Sequence, residues 1–414
     1  MAAGVLVVTL DRLPAWILPA WGSTWLATPA LDQLAARGLV LDRLLATGTT
    51  AAGTLAALAG GPGGLLEAGA TMGAGWTVVT DDPAALPPAL AAVPRRVEVA
   101  LPARAAVARE PEQTALGRLM AAAVAAVRGA PDGAVWCHAT SLGRVWDAPE
   151  GVRDAYVDPD DPPPPPGAAV PSFAVTADTD PDLLVGVRHL YAGQVTLLDR
   201  ALAPLLAAVP AGWCILVAGV RGLALGLHSR VGPADDEEPF GEIVHLPALV
   251  CEPTGTLAAQ RDGLLAIPAD VGATVARLLG GGATSPEGPW DGHDLWPALA
   301  DGSSPPRDRV VIDGGGGMAV ATAAWYLVAA RGAGRPDAGH GPRLFAKPDD
   351  FFEVSDVADR SPAVAEELAA ILPATTAPVA RGPVAGGPAR DLRAAWQRPL
   401  SAAACGGAEP AGGF

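Results

Sequence analysis

Basic residues, cysteines and aromatics are all scarce in this chain, and each shortage removes a class of function. Lys and Arg number 28 against 44 Asp and Glu, a formal net charge of -16. Phosphate neutralisation needs clustered cations, so neither nucleic acid nor an anionic membrane is expected as a partner. The four cysteines, Cys137, Cys214, Cys251 and Cys405, stand far apart with no CxxC pair. That spacing signals neither a zinc site nor a disulfide framework; they read as small buried hydrophobes in a reduced, cytoplasmic setting. Aromatics make up 5% of the residues, and the eleven Trp dominate them. Indoles such as Trp136, Trp146 and Trp325 are expected to pack the core. No apolar run approaches the ~18 residues of a membrane span, and the opening MAAGVLVVTLD lacks the basic stretch of a secretory signal.

What is present is length and alternation. The 414 residues, half of them hydrophobic, are enough for one large domain with a smaller C-terminal subdomain. Val5 to Leu10 is a continuous apolar run ending at Asp11, as a buried parallel strand would. Thr28-Pro29 opens an amphipathic helix, with Thr28 as its cap, and a second helix is expected from Thr50 through Ala59. Further strands are expected at Thr77 to Thr80, Val97 to Leu101, Ala134 to Thr140, Cys214 to Val220 and His245 to Cys251. Helical patterns at Glu112 to Arg128, Asp182 to Ala208 and Asp270 to Leu279 lie between them. Such alternation predicts an α/β fold with a mostly parallel central sheet flanked by helices. The proline-rich segment from Asp158 to Pro171 reads as a surface loop. Beyond Asp301 the runs RVVID, MAVATAAWYLV and PRLFAK predict a small antiparallel sheet, followed by a helix at Pro362 to Leu372. The organisation expected is an α/β domain over 1–300, a C-terminal subdomain over 301–373 and a low-complexity flexible tail over 374–414, in which DLRAAWQ can form a short helix.

In this order the segments resemble the sulfatase family of the alkaline-phosphatase-like superfamily, from about Gly4 to Leu372. VLVVTLD is similar to the family's first strand with its metal-binding Asp, and TPALDQLAARG to "TPNLDRLAAEG". CILVAGVRGLALGLHSR stands where the family reads roughly "TLVVFTSDHGEALGEHG". FGEIVHLPALV and IPADVGATVARLLG follow it, as "GELVHVPLLI" and "PADIAPTLLDLAG" do in the family.

The resemblance implies sulfate-ester cleavage by a divalent cation, usually calcium, beside an aldehyde made from Cys or Ser. Several parts of that centre are absent. TLAALAG, from Thr54 to Gly60, places Thr50 at the nucleophile position, and no cysteine precedes Cys137. Thr50 or Thr49 is either a helix cap or, as in related phosphodiesterases, a nucleophile that relies on two metals. The family's Asp-His pair falls on Val220 and Arg221, and the residue after Asp11 is Arg12. One carboxylate flanked by two guanidinium groups does not suit calcium, which takes six or more oxygens. VWCHATSLGRVWDAP puts Gly143 where the family's general-acid His stands, and His138 reads as a core histidine. His228 and Lys347 are further candidates for the pocket; for Lys347 a solvated position beside Asp349 and Asp350 is the plainer alternative.

The expectation is therefore a sulfatase-like pseudoenzyme that holds no cofactor, with Asp11 as the one retained metal ligand, now paired with Arg221 or Arg12. Its partner is expected to be a small anion or another protein. The alternative is a metal-dependent hydrolase of sulfate or phosphate esters with an atypical site built on Asp11, Thr50 and His228.

Overall fold

The computed structural model describes residues 2–73, 75–130, 132–281, 292–331, 341–372 and 399–406. Its centre is a nine-stranded sheet. Eight strands run across it in the order Gln260–Ala266, Leu39–Leu45, Ala248–Cys251, Trp213–Arg221, Gly4–Asp11, Ala134–Ala139, Trp76–Thr80 and Arg95–Glu98, and the short His245–Leu246 strand pairs with Leu39–Leu45. Gly4–Asp11 pairs in parallel with both neighbours, and every one of its residues is buried. That environment explains a strand that is apolar throughout rather than alternating. Ala248–Cys251 runs antiparallel to both its neighbours, which makes the sheet mixed.

Alternate side chains of the first strand enter two cores. Val5 and Val7 pack with Leu55 and Leu58 of the Ala51–Ala59 helix and Val271 and Val275 of the Pro268–Leu278 helix. Leu6, Val8 and Leu10 face Leu31, Leu119 and Val195, from the Pro29–Arg37, Ala115–Arg128 and Pro181–Ala208 helices on the other side. The result is a helix–sheet–helix sandwich. None of the described helices is long and apolar enough to cross a membrane.

A second sheet, Arg309–Asp313, Gly317–Thr322, Trp325–Ala330 and Arg343–Ala346, is antiparallel throughout, as its runs predict. It docks on the loop before Thr50: the Asp313 amide donates to the Thr47 carbonyl at 3.0 Å and the Gly315 amide to Thr49 Oγ1 at 3.1 Å. The Pro362–Ala369 helix follows.

Several expectations need correction. The Val97 to Leu101 strand lies at Arg95–Glu98, a fully exposed edge whose charges suit an unpaired border. The His245 to Cys251 run breaks at Pro247, which has no N–H for the ladder. Thr28 does not cap its helix; Asp199 does so from the long Pro181–Ala208 helix, accepting from the Ala30 and Leu31 amides at 3.1 and 2.9 Å. Gln260–Ala266, a strand of mixed polarity, was not expected. Most of the stretch expected as a tail, including DLRAAWQ, lies outside the described residues. The part that is described packs: Ala402–Cys405 is a helical turn whose Ala403 carbonyl accepts from Trp325 Nε1 at 2.8 Å.

Candidate anion-binding site

The carboxyl ends of the two central strands meet at an irregular register. Leu10 pairs with Gly219, but Asp11 pairs with Arg221, so Val220 is the extra residue of a bulge. A bulge re-aims the side chains beside it. Here it sends Val220 wholly into the core and brings Arg221 level with Asp11. The guanidinium engages the carboxylate with both prongs, Nε to Oδ1 at 2.9 Å and Nη2 to Oδ2 at 2.7 Å. Burial by itself raises the Asp11 pKa; the hydrogen bonds and charge of Arg221, helped by the charge of Arg12, outweigh it and hold the carboxyl below its ordinary value.

Arg12 does not share that carboxylate, contrary to the expectation that two guanidinium groups would flank Asp11. It has a left-handed backbone, φ 69°, and is almost completely buried. Such a conformation is costly outside glycine and persists only where the surroundings over-determine it. Three contacts do so: Tyr191 Oη donates to the Arg12 carbonyl, and Arg12 Nη1 donates to the Gly222 carbonyl at 3.3 Å and forms a buried ion pair with Glu237. The Arg12 stem also fills the space beside Gly143, where an added Cβ would stand 2.7 Å from Arg12 Cγ. A side chain at the register of the general-acid His and the present course of Arg12 are therefore mutually exclusive.

Above these groups lies a cavity of about 430 Å³. Four arginines, Arg12, Arg144, Arg221 and Arg230, and two aspartates, Asp11 and Asp235, are among its lining residues, with Thr140 and small apolar groups between them. Four guanidinium groups gather here in a chain of charge -16, and their planar forks match oxyanions. Asp81 braces one wall, accepting from the Thr140 amide (2.8 Å), the Thr140 hydroxyl (2.9 Å) and the Ser141 amide (3.0 Å).

Other residues singled out in the sequence lie outside this lining. Thr50 is exposed and caps the Ala51–Ala59 helix, accepting from the Gly53 amide at 3.3 Å. His228 is clamped between Glu242 Oε1 (3.0 Å) and the Glu353 carbonyl (3.2 Å) and stacks on Phe240. Burial lowers its pKa, yet the hydrogen bond and charge of Glu242 prevail and raise it. Lys347 is neither an anion contact nor solvated: its loop curls back so that the ammonium donates to the Asp350 and Phe351 carbonyls at 2.7 and 2.9 Å and pairs with Glu353. His138 is fully buried, with Nδ1 3.0 Å from Thr9 Oγ1. Sequence reasoning missed Glu237, Arg144 and Arg230. The only available signal was the arginine at each edge of two loops, and nothing in their spacing joins them.

The residues present do not fit a divalent cation. Both Asp11 oxygens are occupied by Arg221, and Val220 points into the core. Among the described residues, no group of three His, Cys, Asp or Glu side chains is arranged to hold a metal ion.

No sequence-family model matches the chain, and no curated protein matches it in sequence. Solved structures do match it in shape. The phosphonate monoester hydrolase of Agrobacterium radiobacter superposes with a TM-score of 0.65 at 17% identity, over 89% of this chain and 94% of its own. The phosphonate monoester hydrolase of Silicibacter pomeroyi gives 0.64 at 14% identity, over 89% and 93%. A 2-O GAG sulfatase gives 0.62 at 15%, over 90% and 91%. At such identities the likeness is one of architecture, and the chain has the alkaline-phosphatase-like fold shared by sulfatases and phosphonate monoester hydrolases.

Proposed function

We propose that this protein is a non-catalytic member of its fold, a pseudoenzyme that binds a small oxyanion in the arginine-lined cavity and uses no metal cofactor. The observation that carries this reading is the bidentate Arg221–Asp11 pair. A guanidinium is a permanent cation that offsets the carboxylate as a metal would, but it has no open coordination position at which to polarise an ester or acidify a hydroxyl. Thr50, at the nucleophile register, already accepts a helix amide and lies outside the cavity lining. The four free thiols suit the reducing, cytoplasmic setting that belongs to the same proposal.

The test pairs activity with binding. Purified protein, assayed on aryl sulfates, phosphate esters and phosphonate monoesters with and without added calcium, zinc or manganese, is expected to turn over none of them. Sulfate is expected to raise its Tm in the presence of a chelator. Metal-dependent turnover abolished by Asp11→Ala would establish the hydrolase reading instead, and a Tm indifferent to sulfate and phosphate would remove the binding site.

A further inference from the structure

The four arginines of the cavity are not equivalent. Arg221 is paired with Asp11, Arg12 with Glu237 and, at a largely exposed position, Arg144 with Asp82. Arg230 has no acidic partner among the described residues. Its Nη2 reaches the Pro233 carbonyl at a long 3.4 Å, and its Nε is buried without an acceptor. The side chain as a whole is half-buried in the cavity wall, and a buried donor left without an acceptor is unfavourable.

The backbone that carries Arg230 is held firmly. Ser229 before it is left-handed, φ 57°, the Arg230 carbonyl accepts from the Gly226 amide at 2.8 Å, and Arg230 pairs with Ala174 in a two-stranded ribbon. The charge is thus presented from a fixed position in the cavity wall, with its fork incompletely used.

We infer that Arg230 is the specificity-determining anchor of the cavity, and that the ligand is a small organic molecule bearing one oxyanion group on an uncharged body. This deepens the anion-binding reading and rests on it. The count of one follows from the charges. A single guanidinium is free of a carboxylate, while Asp235 stands in the same lining and opposes a second negative group. The organic body follows from the space. A cavity of about 430 Å³ falls within the range of small-molecule sites, roughly 300–1,000 Å³, and an inorganic anion would leave most of it to water. Ala85, Gly143, Pro233 and Ala234 supply apolar wall for such a body, and Thr140 a hydroxyl.

Calorimetric titration of the full chain with inorganic sulfate, phenyl sulfate and 1,4-phenylene disulfate tests this. Phenyl sulfate is expected to bind at least ~10-fold more tightly than inorganic sulfate, and the disulfate no more tightly than phenyl sulfate. Arg230→Gln is expected to weaken phenyl sulfate ~10-fold or more, and Arg230→Lys to recover only part, since an ammonium lacks the fork. The Tm and circular dichroism of each ligand-free variant show that it is folded. Wild-type binding that survives Arg230→Gln unchanged overturns the anchor while leaving the anion cavity intact. Tighter binding of the disulfate overturns the single-charge assignment, and no binding of any probe overturns the cavity reading itself.

Discussion

Asp270–Arg307 and Asp11–Arg221 use the same two-pronged fork, with donor distances of 2.7 and 2.6 Å in the first and 2.9 and 2.7 Å in the second. Their surroundings differ. Arg307 and Asp270 side chains are 2% and 0% exposed, and the carboxylate also accepts the Ile267 and His293 amides at 2.9 and 2.8 Å, tying the start of the Pro268–Leu278 helix to the segment that follows it. The Asp11–Arg221 pair binds the tips of two neighbouring strands, and its arginine, 22% exposed, lines the cavity. The same chemistry thus knots backbone in a dry interior at one place and sets the charge of a pocket at the other. Position, rather than the pair itself, decides which.

That contrast breaks or sharpens under mutation. The largest effect is expected from Arg307→Met, which leaves the Asp270 carboxylate buried without its cation: about 3–5 kcal/mol of stability lost, read by chemical denaturation, with anion affinity unchanged. A loss below ~1 kcal/mol would erase the distinction, because it would make the interior pair as dispensable as an exposed one.

Asp11→Asn is expected to cost less, roughly 1–2 kcal/mol, because Arg221 keeps access to solvent. It should also strengthen sulfate binding on the order of tenfold by unmasking a positive charge in the cavity. The pH dependence has a definite sign. The Asp11 pKa is lowered in the folded state, burial opposing and Arg221 prevailing. The pair therefore stabilises above the unfolded value of about 3.9 and loses its contribution as pH falls through the lowered one. Asp11→Asn should remove that part of the acid limb in a plot of Tm against pH. An unchanged limb together with unchanged sulfate affinity would show that the pair does not govern the pocket.

The scaffold was readable because its elements are long and strongly patterned. The run from Val5 to Leu10 between buried neighbours and the helix after Thr50 carry their periodicity locally. The meeting of Asp11 with Arg221 follows from placing two parallel strands side by side. The bulge at Val220 does not, since its cause is how the strand ends pack rather than any local pattern. Glu237 and Arg230 were equally hidden. They sit in SRVGPADDEEP, a segment without helical or strand period, and acquire meaning only when the chain folds Glu237 onto Arg12 and Arg230 against Ala174. Lys347 shows the converse, a candidate anion contact in the sequence that its own loop uses up.

The smallest expected effect is at Thr50, and it separates the two views of that residue. A threonine that only caps a helix donates nothing to the cavity; its Oγ1 takes the Gly53 amide at 3.3 Å, a long bond at an exposed position. Thr50→Ala should therefore cost about 0.5–1 kcal/mol, the lower part of the range for lost caps, and Thr50→Ser should recover most of it because the accepting oxygen returns. Neither change should alter sulfate affinity. A Thr50→Ala variant of undiminished stability that no longer binds sulfate would place this hydroxyl in the pocket, and the cavity would then extend to the Ala51–Ala59 helix start on the side of the C-terminal sheet.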